Sequence, residues 1–331
     1  MSHRVVWLET GQSFQVEAGE AVLTAALRGQ VELPHECRFG GCGTCRVRVL
    51  EGRVGYEDEL PMGLSPEEAE AGYALACQAL PQSDLVVSAE PLQLGSPPTR
   101  VQATVEGVRP LGPDVTHLRL RLLQEGLEFL PGQYGNVQLG DGRHRSFSMA
   151  SKPNGGVVDF HVRRIPGGAF TDRRLSGLQP GETLDIELPH GRFRFRPQDY
   201  RPLLMVATGT GLAPIKSILE SLMDDPDCPP VSLYWGARTA ADLYLHDEIQ
   251  RWGERLYEFQ YVPVLSRADE GWTGRRGYVQ DAVLADWPDL SEHAIYLCGS
   301  PLMIEAAKAD FLGRGASLEH LYSDSFVFQT A

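Results

Sequence analysis

Short runs of alternating apolar and polar residues open the chain and predict β-strands. Val5–Leu8 and Phe14–Val16 flank the turn Glu9-Thr10-Gly11-Gln12. A short helix over Ala21–Leu27 follows, with Gly29 as its C′ residue. Arg46–Leu50 alternates again, and Leu85–Ser88 reads as a closing strand. The Pro- and Gly-rich stretch Pro91–Pro98 reads as a linker. Beyond it, Val101–Val108, Val115–Leu122, Tyr134–Leu139, Ser146–Ala150, Val157–Val162 and Thr183–Leu188 are strand-like and separated by turn residues, which predicts a small antiparallel barrel. The pattern then changes. Apolar strands Pro202–Ala207, Val231–Gly236 and Ala294–Cys298 precede helices near Ala213–Met223, Leu243–Trp252 and Leu302–Phe311. That is the βαβ pattern of a parallel sheet covered on both faces. The expected organisation is a multidomain α+β and α/β chain: 1–92, a linker over 93–98, then 99–198 and 199–331.

Size and charge narrow the class. A chain of 331 residues and 36.5 kDa has room for two or three domains. Its net charge of −14 argues against a nucleic-acid binder. No apolar stretch approaches the roughly eighteen residues a membrane helix needs, and the first residues lack a long apolar run. A cytoplasmic monomer without a membrane segment is expected. The acidity is uneven: residues 1–92 hold six basic and fourteen acidic side chains, a net of −8. Glu57, Asp58, Glu59, Glu67, Glu68 and Glu70 form its densest stretch. Such a face suits docking by a basic partner, or simply solubility.

Four cysteines carry the first clear chemistry. Cys37, Cys42 and Cys45 lie in a C-x4-C-x2-C run and Cys77 follows, the ligand spacing of a plant-type [2Fe–2S] cluster. A zinc site more often shows two C-x2-C pairs, and a disulfide framework suits small secreted domains. Gly40, Gly41 and Gly43 let the backbone bend round a cluster and turn amides toward its sulfurs. In the second block, Arg145-Ser146-Phe147-Ser148 is followed by His161-Val162-Arg163 and then Gly167-Gly168-Ala169-Phe170-Thr171. A flavin dinucleotide needs a cation at its pyrophosphate, an aromatic face and backbone N–H groups; Arg145, Phe147, the glycines and Thr171 supply them. Gly209-Thr210-Gly211-Leu212-Ala213-Pro214 joins a strand to a helix, as a dinucleotide loop does, with Pro where the Rossmann fingerprint has its third Gly. Cys298-Gly299 ends another predicted parallel strand, where ligands bind in open α/β sheets. A thiol there either lines the nicotinamide pocket or is a buried structural cysteine.

With these motifs in this order, the chain resembles the ferredoxin–NAD(P)H reductase family in its oxygenase-reductase form, over essentially its full length. Reductases of methane, phenol, toluene and benzoate oxygenases share the order, as does CDP-6-deoxy-glucoseen reductase. The resemblance implies a β-grasp ferredoxin domain, an antiparallel FAD-binding β-barrel and a parallel α/β nicotinamide-binding domain. It implies a [2Fe–2S] cluster, FAD and NADH, with electrons passing in the order nicotinamide, flavin, cluster, partner protein. In the family's Arg-x-Tyr-Ser motif, Arg145 and Ser148 match, while Phe147 replaces Tyr and loses a phenolic hydrogen bond. The same resemblance places Ser148 near flavin N5 and Gly168–Thr171 around the pyrophosphate. It assigns Gly209, Thr210 and Gly211 to the nicotinamide dinucleotide, and Cys298 to the nicotinamide ring. The aromatic end Tyr322–Phe326 makes Phe326 the candidate for the flavin face, ahead of the tail Val327–Ala331. Ser148, Cys298 and Phe326 are therefore the expected residues around the reacting rings. Arg238, just past the second strand of the third block, opposes the NADH expectation, because a cation there suits the 2′-phosphate of NADPH. The implied partner is a terminal oxygenase; the alternative is an acceptor of deoxysugar biosynthesis. A redox-responsive binding module is a third reading, disfavoured because a sensor needs no continuous electron supply.

Overall fold

The alternation at the start of the chain becomes a mixed sheet. In the computed structural model, which describes residues 2–91, 96–140 and 142–326, β1 (His3–Trp7) and β2 (Ser13–Val16) pair antiparallel, and Val5, Trp7, Phe14 and Val16 all point inward. The first strand stops at Trp7, and Leu8 is exposed. α1 (Val22–Arg28) buries Val22, Leu23, Ala25 and Ala26. Its end differs from expectation. Gly29 keeps a negative φ, and the left-handed residue is Gln30 at φ 58°. Gly29 is instead a packing residue: a Cβ there would lie 3.3 Å from Phe14 Cβ.

β3 (Arg46–Glu51), β5 (Tyr73–Leu75) and β7 (Leu85–Ser88) complete a five-stranded sheet in the order β2-β1-β7-β3-β5, with β1 and β7 parallel. Two short strands, β4 (Val54–Gly55) and β6 (Leu80–Pro81), pair beside it. The Trp7 indole donates to Ala89 O at 2.8 Å, so the first strand holds the end of the unit. α2 (Pro66–Glu70), absent from the sequence expectation, starts at a complete capping box: Ser65 accepts from Glu68 N, and Glu68 accepts from Ser65 N.

The chain forms two compact units, one built on residues 1–93 with the end of the chain from Asp324, and one on residues 94–323. In the second unit, β8 (Thr99–Pro110), β9 (Val115–Leu122), β10 (Tyr134–Gln138), β11 (His144–Ser148), β12 (Val157–Arg163) and β13 (Thr183–His190) form an antiparallel sheet in the order β11-β10-β13-β8-β9-β12. Its edge strands meet where Met149 bridges Phe160 and Ala150 N donates to Asp159 O at 2.7 Å. The sheet thus curls toward closure around a core that includes Leu118, Leu120, Phe160, Phe170 and Ile186.

The parallel sheet contains β14 (Leu203–Thr208), β15 (Val231–Ala237), β16 (Phe259–Leu265), β17 (Arg275–Arg276), β18 (Ala294–Gly299) and β19 (Leu321–Ser325). Its order is β17-β16-β15-β14-β18-β19, so the chain reverses direction across the sheet beside β14. Four helices accompany it: α3 (Leu212–Leu222), α4 (His246–Gln250), α5 (Val279–Asp286) and α6 (Pro301–Leu312). The helix expected over Leu243–Trp252 is shorter, with only His246–Gln250 in α-form and 3₁₀ turns around it. α5 and α6 pack Val279, Val283, Ile304 and Phe311 against Leu204, Val206, Ile295 and Leu297. α3 buries nine of its eleven residues because it also touches the segment after β11. Ser217 Oγ donates to Ser151 O at 2.7 Å and Lys216 Nζ to Ala150 O at 3.0 Å. No helix among the described residues is long and apolar enough to cross a membrane.

Candidate functional site: a cysteine loop, a flavin strand and a dinucleotide edge

The four cysteines of the first unit fall into two pairs. The Cys37 and Cys42 side chains interact with each other, and so do those of Cys45 and Cys77. Among the described residues, no group of three or more His, Cys, Asp or Glu is arranged around a single metal ion. Two pairs are what a two-iron cluster requires, because each iron takes two thiolates. The surroundings favour anionic sulfur at one member of each pair. The Cys42 contact, with backbone N–H groups of Cys42, Phe39 and Gly41, holds the Cys37 thiol down to about 5 against the cost of burial. The Cys42 N–H lies 3.4 Å from Cys37 Sγ. Cys77 is lowered by its contact with Cys45, helped by the Gly40 backbone. Cys42 and Cys45, the partners that keep the proton, are pushed up by those same contacts and by burial. Amides aimed at sulfur are the donors a cluster uses to stabilise its charge. This donor set fits a [2Fe–2S] group.

The loop owes its shape partly to residues outside it. Gly40 sits at φ 82°, where a Cβ would come within 2.7 Å of Pro61 Cβ. Gly63 N donates to Gly40 O at 2.7 Å, and a Cβ on Gly63 would press on Gly40 O and Gly43 N. Arg38 is left-handed at φ 63° without being glycine, a strained conformation common at functional loops. Its carbonyl accepts from Gln78 Nε2 at 3.2 Å, which ties the loop to the residue after Cys77.

In the second unit, Arg145, Phe147 and Ser148 lie on β11, opposite Val137, Gly135 and Tyr134 of β10. Arg145 Nη1 donates to His144 O at 2.8 Å. Phe147 is half-buried and packs 5.4 Å from the Phe170 ring, while Phe170 itself is a core residue. Gly167 takes φ 77° with open space where a Cβ would be. Gly168 opens a single π-helical turn, Ala169–Arg174, a rare geometry that clusters at functional sites. A Cβ at Gly168 would lie 2.4 Å from Thr171 Oγ1 and 2.9 Å from Ile165 O, so a larger residue there would force the turn to shift. A cation, an aromatic face and a tight amide-bearing turn fit a flavin dinucleotide.

His161 and Arg163, both on β12, diverge. His161 is buried, with Nδ1 3.2 Å from Tyr244 Oη. Burial, then the charges of Lys216 and His117, hold its pKa well below the ordinary value. Arg163 pairs with Asp114 Oδ2 at 2.8 Å and comes within 3.8 Å of where a Gly209 Cβ would stand. β12 therefore reaches the Gly209–Gly211 turn.

That turn and Gly299 lie together at the carboxyl ends of adjacent strands β14 and β18, at the switch point of the parallel sheet. A Cβ on Gly211 would fall 2.2 Å from Cys298 O, and one on Gly299 2.2 Å from Thr208 Oγ1. Ser300 N donates to Thr208 Oγ1 at 3.2 Å. Cys298 is fully buried. Arg238 is exposed past the end of β15, its carbonyl accepting from Arg267 N at 2.8 Å. Phe326 is half-buried just after β19, and Val327–Ala331 lie outside the described residues.

Three residues here escaped the sequence reading. Thr208 links the β14 and β18 loops; its position immediately before Gly209 was a signal. Trp235 donates from its indole to Gly209 O at 2.9 Å, and Tyr244 stands edge-on to both Trp235 and His161. Neither has a sequence signal, because the contact joins residues far apart in the chain.

Comparison with known proteins agrees with this layout. Residues 5–82 match the 2Fe-2S iron-sulfur cluster binding domain, 102–195 the oxidoreductase FAD-binding domain and 205–309 the oxidoreductase NAD-binding domain. The electron transfer component of xylene/toluene monooxygenase from Pseudomonas putida is 34% identical over 96% of this chain and 91% of its own. The CDP-6-deoxy-L-threo-D-glycero-4-hexulose-3-dehydrase reductase of Yersinia pestis is 34% identical over 99% of both. Among solved structures, the Amycolatopsis cytochrome P450 reductase GcoB is similar at 34% identity and a TM-score of 0.73, covering 98% of each chain. An oxidoreductase with [2Fe–2S], FAD and NAD domains in this order, matched end to end by such relatives, belongs to the ferredoxin–NAD(P)H reductase family, in the form that carries an N-terminal plant-type ferredoxin domain.

Proposed function

We propose that this chain is the reductase component of a multicomponent oxygenase, drawing electrons from NADH and delivering them singly to a terminal oxygenase. The observation that carries it is the full-length similarity to the xylene/toluene monooxygenase component. FAD and the cluster supply the conversion of a two-electron donor into one-electron steps; the chain binds, orients and shields them. The proposed division is 1–92, 93–98, 99–198 and 199–331. The proposed cluster ligands are Cys37, Cys42, Cys45 and Cys77, supported by their two-pair arrangement. Arg145, Phe147 and Ser148 with Gly167–Thr171 are the proposed flavin contacts, backed by His161 and Arg163 on β12. Gly209, Thr210, Gly211, Cys298 and Gly299 are proposed for the nicotinamide dinucleotide. Phe326 is proposed for the flavin face on the resemblance alone. Arg238 is proposed to meet solvent or ribose, which its exposure suits. Six cysteines with no disulfide among the described residues suit a reducing, cytoplasmic compartment, and a monomer is proposed.

The acidic face of residues 1–92 is the proposed dock, with one change of membership. Glu57, Asp58, Glu59, Glu67 and Glu70 are exposed, but Glu68 is fully buried, capping α2 and pairing with Arg46. Its role is in the fold rather than in the proposed dock.

The second reading, a reductase of deoxysugar synthesis, is favoured by the Yersinia pestis relative. Both predict NADH turnover with an artificial one-electron acceptor. Purified chain mixed with an aromatic-ring oxygenase and, separately, with a CDP-hexulose dehydrase distinguishes them. Reduction of the oxygenase supports the first reading, and reduction of the dehydrase alone replaces it with the second.

A further inference from the structure

Three successive residues after β11 are each held by a side chain of α3. Lys216 Nζ donates to Ala150 O at 3.0 Å, Ser217 Oγ donates to Ser151 O at 2.7 Å, and Glu220 Oε2 accepts from Lys152 N at 3.1 Å. Lys216 also pairs with Glu220 one helical turn along, so its buried ammonium is neutralised within the clasp. The other side of the segment is tied to β12. Ala150 N donates to Asp159 O at 2.7 Å, and Ser151 Oγ accepts from Asp159 N at 3.2 Å. Ser217 is fully buried, and all three α3 side chains reach backbone atoms. A slip of α3 along the segment would break all three bonds together and leave buried polar groups unpaired, so the clasp fixes register.

Each end of this clasp leads to a proposed cofactor site. α3 begins at the Gly209–Gly211 turn, and the gripped segment follows Ser148 after one residue, Met149. Domains joined in one chain shift against one another unless their interface holds them. Transfer between two bound groups is sensitive to errors of about an ångström in their approach.

We propose that Lys216, Ser217 and Glu220 are positioning residues for flavin reduction: they lock the Gly209–Gly211 turn in register with the strand that carries Ser148, and so set the approach of nicotinamide to flavin. The proposal rests on the reading of β11 as flavin-binding and of Gly209–Gly211 as the dinucleotide turn.

The test is stopped-flow reduction of the FAD-loaded full chain by NADH, which gives a limiting rate and an apparent affinity separately. Ser217→Ala is expected to slow the limiting rate about tenfold while NAD⁺ affinity and FAD content hold. Lys216→Met should act alike, and Lys216→Arg, which keeps a donor for Ala150 O, should restore most of the rate. Ser221→Ala is the control, because that hydroxyl bonds at 2.7 Å to Ile218 O within its own helix; its rate should match the wild type. Amide hydrogen exchange over residues 150–152, measured without nucleotide, is independent of turnover. It should quicken in Ser217→Ala and Lys216→Met and stay unaltered in Ser221→Ala. A limiting rate unmoved in both clasp variants overturns the proposal. So does an equal loss in Ser221→Ala, which would reflect helix stability, and so does a loss of NAD⁺ affinity with the limiting rate intact, which would make these residues binding groups. Should Ser217→Ala fail to fold, the contrast between Lys216→Met and Lys216→Arg decides, and equal rates in those two overturn the proposal. Wild-type protein that takes up no FAD or binds no NAD⁺ removes the site reading and the proposal together. Binding of both, with clasp variants that behave as wild type, removes the proposal alone.

Discussion

His161 shows how a side chain can belong to a motif and still face the core. Burial disfavours its charged form, and the nearby Lys216, His117 and Arg109 act the same way, against the single opposing charge of Asp159. A histidine whose folded pKa lies below its ordinary 6.5 binds a proton more readily when unfolded. Its stability contribution is therefore complete above about pH 6.5 and is lost on acidification toward the folded value, at up to about 1.4 kcal/mol per pH unit. Unfolding free energy measured between pH 7 and 5 should fall in the wild type and fall less steeply in His161→Gln. Equal slopes would mean that another group carries the acid sensitivity. Asp159 adds a second loss at lower pH: despite burial, the His117 and Arg119 hydrogen bonds hold its carboxyl below the usual range. Its share is present above about pH 4 and disappears as the pH falls further.

The turn between β14 and α3 shows what strand and helix reading recovers and what it misses. The Gly-x-Gly was visible, and so was its strand-turn-helix setting, because both depend on residues near in sequence. The reason glycine is required at 211 was not visible, since the obstructing atom is Cys298 O on another strand. Gly211→Ala should push the start of α3 off β18, weaken nicotinamide binding and leave FAD content unchanged. Equilibrium titration with NAD⁺ checks it; unaltered affinity would show that the turn relaxes freely. The same distinction explains the other differences. β1, β7, β9 and β14 were readable because hydrophobic period tracks burial. β16 and α5 went unnoticed; α5 is only eight residues long and buries four of them. Ser65-Pro66-Glu67-Glu68 spells the capping box of α2, but a helix of five residues is too short to show a hydrophobic period. Pairing of Cys37 with Cys42, and of Cys45 with Cys77, lay beyond sequence spacing, which names four candidate ligands but not their partners.

Division of labour between the units gives two predictions for the complete protein. Cys42→Ser should abolish the iron signal and transfer to a partner while NADH still reduces the FAD, because the proposed flavin and nicotinamide residues of β11, β12, β14 and β18 lie in the other unit. Stopped-flow bleaching of the flavin is the measurement, and loss of bleaching in a protein that retains FAD would contradict the division. Partner reduction should slow with added salt, since exposed charges are screened beyond roughly 10 Å at 0.1 M. Charge reversal at Glu67 and Glu70 should flatten that profile. Glu68 must be left alone, because its reversal would unfold the cap of α2. A profile insensitive to salt would instead favour apolar docking through the exposed Phe39 and Met62.

The contact of Gly40 with Pro61 and Gly63 bears on anyone wishing to transplant the centre. The nonapeptide Cys37–Cys45 contains three of the four thiols, yet it is braced from a second segment some twenty residues downstream. Grafted alone into another scaffold, it would lose the wall that presses on Gly40 and the carbonyl–amide clasp to Gly63. A portable version has to carry residues 61–63 and Gln78 along with the cysteines, so the smallest transferable unit is discontinuous in sequence.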